Sequence, residues 1–92
     1  MSPISDVRSA VAVARNYLQD VMDPFKGLRL EETELSEDRQ YWLITLGFDR
    51  PVEEHLDPLQ AVVNNKKYER EYRIIKIDAR TKEVQSMKIR EL

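Results

Sequence analysis

The single histidine, His55, stands among the carboxylates Glu53, Glu54 and Asp57, which are groups that can bind a metal or transfer protons. A protein metal site needs about three or four ligands that converge in a fixed geometry. These four residues are near neighbours in a proline-flanked segment and cannot all point at one ion. We therefore interpret His55 as a solvated loop residue and expect neither a metal site nor a cofactor.

The remaining residues that could do chemistry also have simpler interpretations. Glu31, Glu32 and Glu34 stand in a strand-like segment and are typical of a solvated face. Asp78 is placed to begin a turn, where its side chain bonds back to the backbone. No serine stands in a Gly-x-Ser-x-Gly elbow, and neither glycine belongs to a phosphate-binding loop. We predict that the chain is not an enzyme.

A cluster of basic and aromatic residues precedes the last third of the chain, and its members are Lys66, Lys67, Tyr68, Arg70, Tyr72 and Arg73. Such interleaving can bind single-stranded nucleic acid by stacking and phosphate contacts. Glu69 and Glu71 interrupt the cluster, and we expect Tyr72 in the core. A charged entry to a strand is the better interpretation, so we expect no nucleic-acid partner.

The overall composition is that of one small globular domain, 1–92. Apolar residues make up 41% and charged residues 35%, with a net charge of −2, which disfavours general nucleic-acid binding. There is no apolar run near the ~20 residues of a membrane span, no secretory signal and no cysteine. We expect a cytoplasmic protein with no membrane partner.

The N-terminal segment has the periodicity of an amphipathic helix over residues 4–23. Apolar residues alternate in steps of three and four, at Ile4, Val7, Val11, Ala14, Leu18 and Val21. Asp23-Pro24 should end the helix, because proline disfavours helical geometry in the preceding residue. We expect the apolar stripe to be a core face.

Residues 28–48 predict a first hairpin around a polar connection at 36–40. If Glu37 faces Gln40, Leu35 pairs with Trp42 and Thr33 pairs with Ile44. Leu28 and Leu30 then fall on the other face, unless a bulge near Glu31-Glu32 shifts them. The pattern leaves that point open.

Residues 71–92 predict a second hairpin with Asp78 opposite Glu83. We expect Ile77 to pair with Val84, Ile74 with Met87, and Tyr72 with Ile89, since each pair is then apolar. Tyr72, Ile74, Met87 and Ile89 would then form the core face. Ile75, Ile77 and Val84 would form a smaller apolar patch on the reverse side. Lys82 should adopt a positive φ at the last loop position.

The segment 49–70 lacks a clean pattern and contains Pro51 and Pro58. We expect it to be an irregular crossover between the hairpins. The predicted fold class is α+β, with one N-terminal helix packed on a three- to four-stranded antiparallel sheet.

The segment Ile75-Lys-Ile-Asp-Ala-Arg-Thr-Lys-Glu-Val84 resembles the end of PepSY-like domains, which have a strand, an Asp-x-x-Thr-Gly-Glu-Val type turn and another strand. The order of an N-terminal helix and then strands is also similar. The resemblance implies one helix across an antiparallel sheet, and a non-catalytic role in modulating peptidases or binding in the cell envelope. Lys82 stands where the motif has glycine, and no family binding residue is carried over.

We therefore expect a small non-catalytic protein-interaction or modulatory module. The alternatives are an immunity or antitoxin-like inhibitor of one partner, and a small ligand-binding or enzyme domain with a pocket between helix and sheet. The expected partner is another protein or a second copy, which would form a homodimer. The apolar residues left for this contact are Val52, Leu56, Leu59, Val62, Val63, Ile75, Ile77 and Val84.

Overall fold

A computed structural model describes residues 3–51 and 68–91, with the side chains of 7–51 and 68–91. Its elements are helix α1 (Pro3–Val21) and strands β1 (Lys26–Leu35), β2 (Tyr41–Pro51), β3 (Tyr68–Asp78) and β4 (Val84–Arg90). The strands form one antiparallel sheet in the order β1-β2-β3-β4. The predicted α+β class, with an N-terminal helix and an antiparallel sheet, is confirmed.

The core lies between α1 and one face of the sheet, which we call the helix face. Ala10, Ala14 and Leu18 of the helix are fully buried, and the two alanines are small enough to let the helix lie close to the strands. The sheet contributes Trp42, Ile44, Leu46, Phe48, Ile75 and Ile77. Val21, which we placed in the buried stripe, is 50% exposed because the helix ends there.

The first hairpin has the predicted register, with Leu35 opposite Trp42 and Thr33 opposite Ile44. The open question about its start is answered by a bulge. The register shifts between Leu30 and Glu32, so Glu31 is the extra residue. This shift turns Leu30 and Leu28 toward the helix face. Leu28 packs against the core there, while Leu30 is 41% exposed at the sheet edge.

The register of the second hairpin was predicted correctly only beside the turn. Ile77 is opposite Val84 as expected, but Ile75 pairs with Met87 and Arg73 pairs with Ile89. The predicted pairs Ile74–Met87 and Tyr72–Ile89 are wrong. The cause is a register shift at Lys76/Ile77, where Gln85 is an extra residue in β4. Every pair beyond this bulge is displaced by one residue. Met87 and Ile89 still lie on the helix face, as predicted, but their partners are Ile75 and Arg73 from the other face of β3.

The two faces of β3 are consequently the reverse of our prediction. Ile75 and Ile77 are fully buried under the helix, and Val84 packs against the same core. They do not form an apolar patch on the reverse side. Tyr72 and Ile74 lie on the face away from the helix, so their assignment to the core was also wrong.

The connections agree better with the sequence. Lys82 has a φ of 65°, as predicted, and Asp78 Oδ1 accepts hydrogen bonds of 2.8 Å from the backbone amides of Arg80 and Thr81. β2 and β3 extend into both ends of the expected crossover 49–70 and pair there, with Asp49 opposite Arg70 and Pro51 opposite Tyr68.

Candidate binding groove and sheet edge

The sheet face away from the helix, which we call the open face, carries charged, hydroxyl and aromatic side chains. Its residues follow from the register, and they are Lys26, Arg29, Glu32, Glu34, Tyr41, Leu43, Thr45, Gly47, Asp49, Pro51, Tyr68, Arg70, Tyr72, Ile74, Lys76, Asp78, Ser86, Lys88 and Arg90. On this face β1 carries both signs of charge, with Lys26 and Arg29 beside Glu32 and Glu34, whereas the charged residues of β4 are the cations Lys88 and Arg90. The β4 side of the open face is therefore the more basic one.

At one end of the open face, Arg70 and Arg90 form ion pairs with acidic residues of β1 and β2. Arg70 Nη2 lies 2.9 Å from Glu31 Oε1, and Arg70 Nη1 lies 3.3 Å from Asp49 Oδ1. Arg90 of β4 reaches across the sheet to Glu32 of β1 at 2.8 Å and donates a 3.1 Å hydrogen bond to Thr45 Oγ1. Thr45 is only 3% exposed beneath this contact.

Arg70 is held on the sheet by its environment. Burial alone would lower the pKa of Arg70, but its hydrogen bonds with Glu31 and Asp49 outweigh that effect and raise it above the ordinary value. Gly47 makes room for the arrangement, since a Cβ there would lie 2.7 Å from Glu31 Oε1 and 2.9 Å from Arg70 Nη2. The charge of Arg70 is therefore engaged by two carboxylates and is not available to a ligand.

The other end of the open face is a groove with a volume of about 520 Å³. We call it the open-face groove, and its lining consists of Ser36, Glu37, Asp38, Tyr41, Leu43, Ile74, Lys76, Ser86 and Lys88. Its floor is formed by the apolar side chains of β2 and β3. Hydroxyls and amines stand around that floor, so the groove suits an amphipathic ligand.

On the acidic side of the groove, Asp38 already accepts hydrogen bonds from residues of its own turn. The Ser36 hydroxyl donates a 2.6 Å hydrogen bond to Asp38 Oδ1, and the Gln40 amide donates one of 3.0 Å. These two bonds hold the pKa of Asp38 below its usual range. Asp38 therefore acts as a turn residue that is ionised at neutral pH, and it is not poised for proton transfer.

The basic side of the groove has two amines without an ion-pair partner. Among the side chains of residues 7–51 and 68–91, no carboxylate forms an ion pair with Lys76 or Lys88. Lys76 Nζ lies 4.2 Å from the centre of the Tyr41 ring, which leaves its charge in place. Lys88 is exposed. The groove can therefore receive negative charge.

The groove adjoins β4, whose outer edge faces no strand in the part of the chain that the structure describes. Ser86–Arg90 pair with β3 in an unbroken register, so this part of the edge is regular. On its helix face β4 presents Ile89, which is 72% exposed. A regular edge with an exposed apolar side chain is a template for an added strand.

The opposite edge, β1, is a poor template by comparison. It has two irregularities in its register, one of them beside Gly27, whose φ is 64°. Bulges and charged side chains are the devices that protect an edge from pairing. β4 has a single irregularity, at Gln85, so its segment Ser86–Arg90 is the more regular edge in the described part of the chain.

Of the predicted partner-binding residues, the structure describes only three, and these lie in the core. Val52, Leu56, Leu59, Val62 and Val63 lie outside the described residues, as do the neighbours Glu53, Glu54, His55 and Asp57. Ile75, Ile77 and Val84 are covered by the helix, as described above. Among the described residues, no cluster of three metal-binding side chains occurs.

The basic cluster that we considered for nucleic acid is divided between the two sheet faces. Arg70 belongs to the ion pairs of the open face, whereas Arg73 is only 6% exposed on the helix face. Arg73 Nη2 lies 2.9 Å from Glu71 Oε1, and its guanidinium lies 5.4 Å from the Phe48 ring centre. Lys66 and Lys67 lie outside the described residues. The two arginines do not form one basic surface.

Comparison with known proteins adds no assignment: no family model, no curated protein and no solved structure matches this chain. The resemblance to PepSY-like domains remains a prediction from the sequence. No helix in the described part of the chain combines the length and the apolar content needed to cross a bilayer.

Proposed function

We propose that this chain is a small non-catalytic protein-interaction module that contacts its partner through β4 and the open-face groove. The observation that carries the proposal is the meeting of three features at one place. Ser86–Arg90 of the β4 edge are regular, and Ile89 is exposed there. Among the described residues, this edge is unpaired, and Lys76 and Lys88 form no ion pair.

The features of the molecule favour binding over catalysis. The alternative of a small ligand-binding or enzyme domain predicts a pocket between helix and sheet. Fully buried side chains fill that space, among them Leu18, Ile44 and Ile75. Of the two carboxylates that line the groove, Asp38 is held ionised by its turn. An immunity or antitoxin-like role is a special case of the same proposal, in which the partner is inhibited.

A partner of different sequence fits the β4 edge better than a second copy. A homodimer formed through two β4 strands would bring Lys88 of each copy to the same edge and the same face. Like charges across neighbouring strands are destabilising. The homodimer predicted from the sequence is tested by sedimentation at micromolar concentration, where we expect a monomer.

Site-specific photocrosslinking tests the proposed surface. A photoreactive phenylalanine analogue replaces Ile89 in the full chain, which is then expressed in its native cells. The matched control carries the analogue at Arg29, an exposed residue on the opposite edge strand. We expect a discrete crosslinked protein from position 89 and none from position 29. The same products from both positions, or none from either, would contradict the proposed surface.

A further inference from the structure

We infer that the partner segment is an extended strand in which acidic and apolar residues alternate, and that it adds to the edge of β4. This inference rests on the proposed function and specifies the chemistry of the partner. It follows from what β4 presents on its two sides. Lys88 and Ser86 point to the open face, whereas Met87 and Ile89 point to the helix face.

A strand added to an edge has the same alternation as the strand that receives it. Successive side chains point to opposite faces, and residues directly opposite each other in neighbouring strands share a face. The position opposite Lys88 therefore faces the groove, and its neighbours face Met87 and Ile89. Period-two alternation of the partner is thus imposed by the backbone geometry.

The charge preference comes from the groove side. Lys88 lies on β4 itself, and Lys76 lies on β3 directly opposite Ser86. A glutamate or aspartate on the added strand would meet these two amines. Neither forms an ion pair among the described side chains, although the charge of Lys76 acts on Asp38 at longer range. A lysine at the same position would meet two like charges. Acidic residues are therefore favoured on the groove side.

The apolar preference comes from the helix side. Met87 packs against the edge of the core, and Ile89 is 72% exposed. An apolar side chain on the added strand would cover both and extend the core by one strand. A valine or isoleucine suits this position because β-branched residues pack well on a pleated surface.

Peptide binding measured by fluorescence anisotropy tests the inference on the full chain. The first probe alternates glutamate and valine over about seven residues, the length of β4. The second alternates lysine and valine. The third has the composition of the first, with its glutamates clustered at one end. We expect only the alternating acidic peptide to bind, and we expect its affinity to fall as salt is raised.

A charge reversal on β4 sharpens the test. Lys88→Glu should weaken binding of the acidic peptide by about tenfold, because an attractive cross-strand pair becomes repulsive. The same variant should gain binding of the lysine–valine peptide. Arg29→Glu makes the same charge change on the other edge and should leave both affinities unchanged. Lys88 and Arg29 are exposed, so circular dichroism should show the native fold in both variants.

N-methylation of the peptide backbone distinguishes strand addition from charge attraction alone. Methyl groups on one alternate set of amides should abolish binding, and methyl groups on the other set should have little effect, because only one set faces β4. Equal effects of the two sets would overturn the inference. So would equal binding of the acidic and basic peptides.

Two further outcomes would also overturn the inference while leaving the proposed function standing. A crosslinked partner at position 89, together with acidic peptides that do not bind, would mean that the partner has another chemistry. The second outcome is that Lys88→Thr causes self-association while the affinity of the acidic peptide does not depend on Lys88. In that case the lysine only protects the edge from pairing. The failure of crosslinking at position 89 would instead remove the proposed function itself.

Discussion

Truncation of Ile75 gives the sharpest test of the sheet faces described above. Ile75 is fully buried, lies opposite Met87 and packs in the core beneath α1. Ile75→Ala removes three carbon atoms from this core. At about 0.8 kcal/mol for each buried methylene, the transfer cost is about 2.4 kcal/mol. The cavity left behind adds to this cost, so we expect a loss of about 3 kcal/mol, within the usual range of 2–5 kcal/mol.

The matched control is the neighbouring residue Ile74, which is half-buried on the open face. Ile74→Ala removes the same atoms without leaving an enclosed cavity, and we expect it to cost about 1 kcal/mol. The unfolding entropy for 92 residues is about 190 cal/mol/K at about 2.1 cal/mol/K per residue. The melting temperature should therefore fall by about 15 °C for Ile75→Ala and by about 5 °C for Ile74→Ala.

Thermal unfolding followed by circular dichroism measures both values, and urea titration gives the free energies directly. The comparison has one refuting result. If Ile74→Ala is as destabilising as Ile75→Ala, or more so, then the helix covers the other face of β3 and the bulge at Gln85 is absent. Cross-strand NMR contacts between Ile75 and Met87 provide an independent check of the same register.

Two further predictions concern the turn between β3 and β4. Lys82→Gly should raise the melting temperature, because the positive φ of 65° costs a non-glycine residue about 1 kcal/mol; an unchanged or lower value would refute this. Asp78→Asn isolates the charge of the turn aspartate. Hydrogen bonds from the amides of Thr81 and Arg80 lower the pKa of Asp78 below 3.8, so its charge stabilises the fold above that pH. The stability difference between wild type and Asp78→Asn should be constant near neutral pH and shrink as pH falls through the folded pKa; a difference that grows on acidification would be inconsistent with this sign.

The elements that could be predicted from the sequence are those in which one physical signal dominates. The helix stripe, the alternation in β2 and the turn at Asp78 are each carried by local spacing. Positive φ at Lys82 follows from the length of the loop. The register of the first hairpin was predictable because pairing Leu35 with Trp42 across the short polar connection places the apolar residues on one face, and a one-residue slip would separate them.

The second hairpin was mispredicted because β3 has apolar residues on both faces. Tyr72 and Ile74 lie on one face of the strand, and Ile75 and Ile77 lie on the other. Both faces therefore carry two apolar residues, and alternation alone does not identify the core face. Two signals could have resolved this. Val84 and Met87 are three residues apart, so they can share a face only if β4 has a bulge between them. Pairing β3 with the strongly patterned β2 would also place Ile75 opposite Ile44 and Ile77 opposite Trp42.

The candidate binding surface depends on the same bulge, which is why residue types alone did not reveal it. If β4 had no bulge at Gln85, Lys88 would lie on the helix face with Ile75 and Ile77. Its charged side chain would then have to bend away from the core to reach solvent. With Gln85 as the extra residue, Lys88 lies on the open face beside Lys76, and Met87 and Ile89 lie on the other. A single inserted residue thus decides which side of β4 is cationic and which is apolar. The alternation that we infer for a partner strand is the complement of that arrangement, so peptides with the opposite charge pattern test the bulge as well as the interaction.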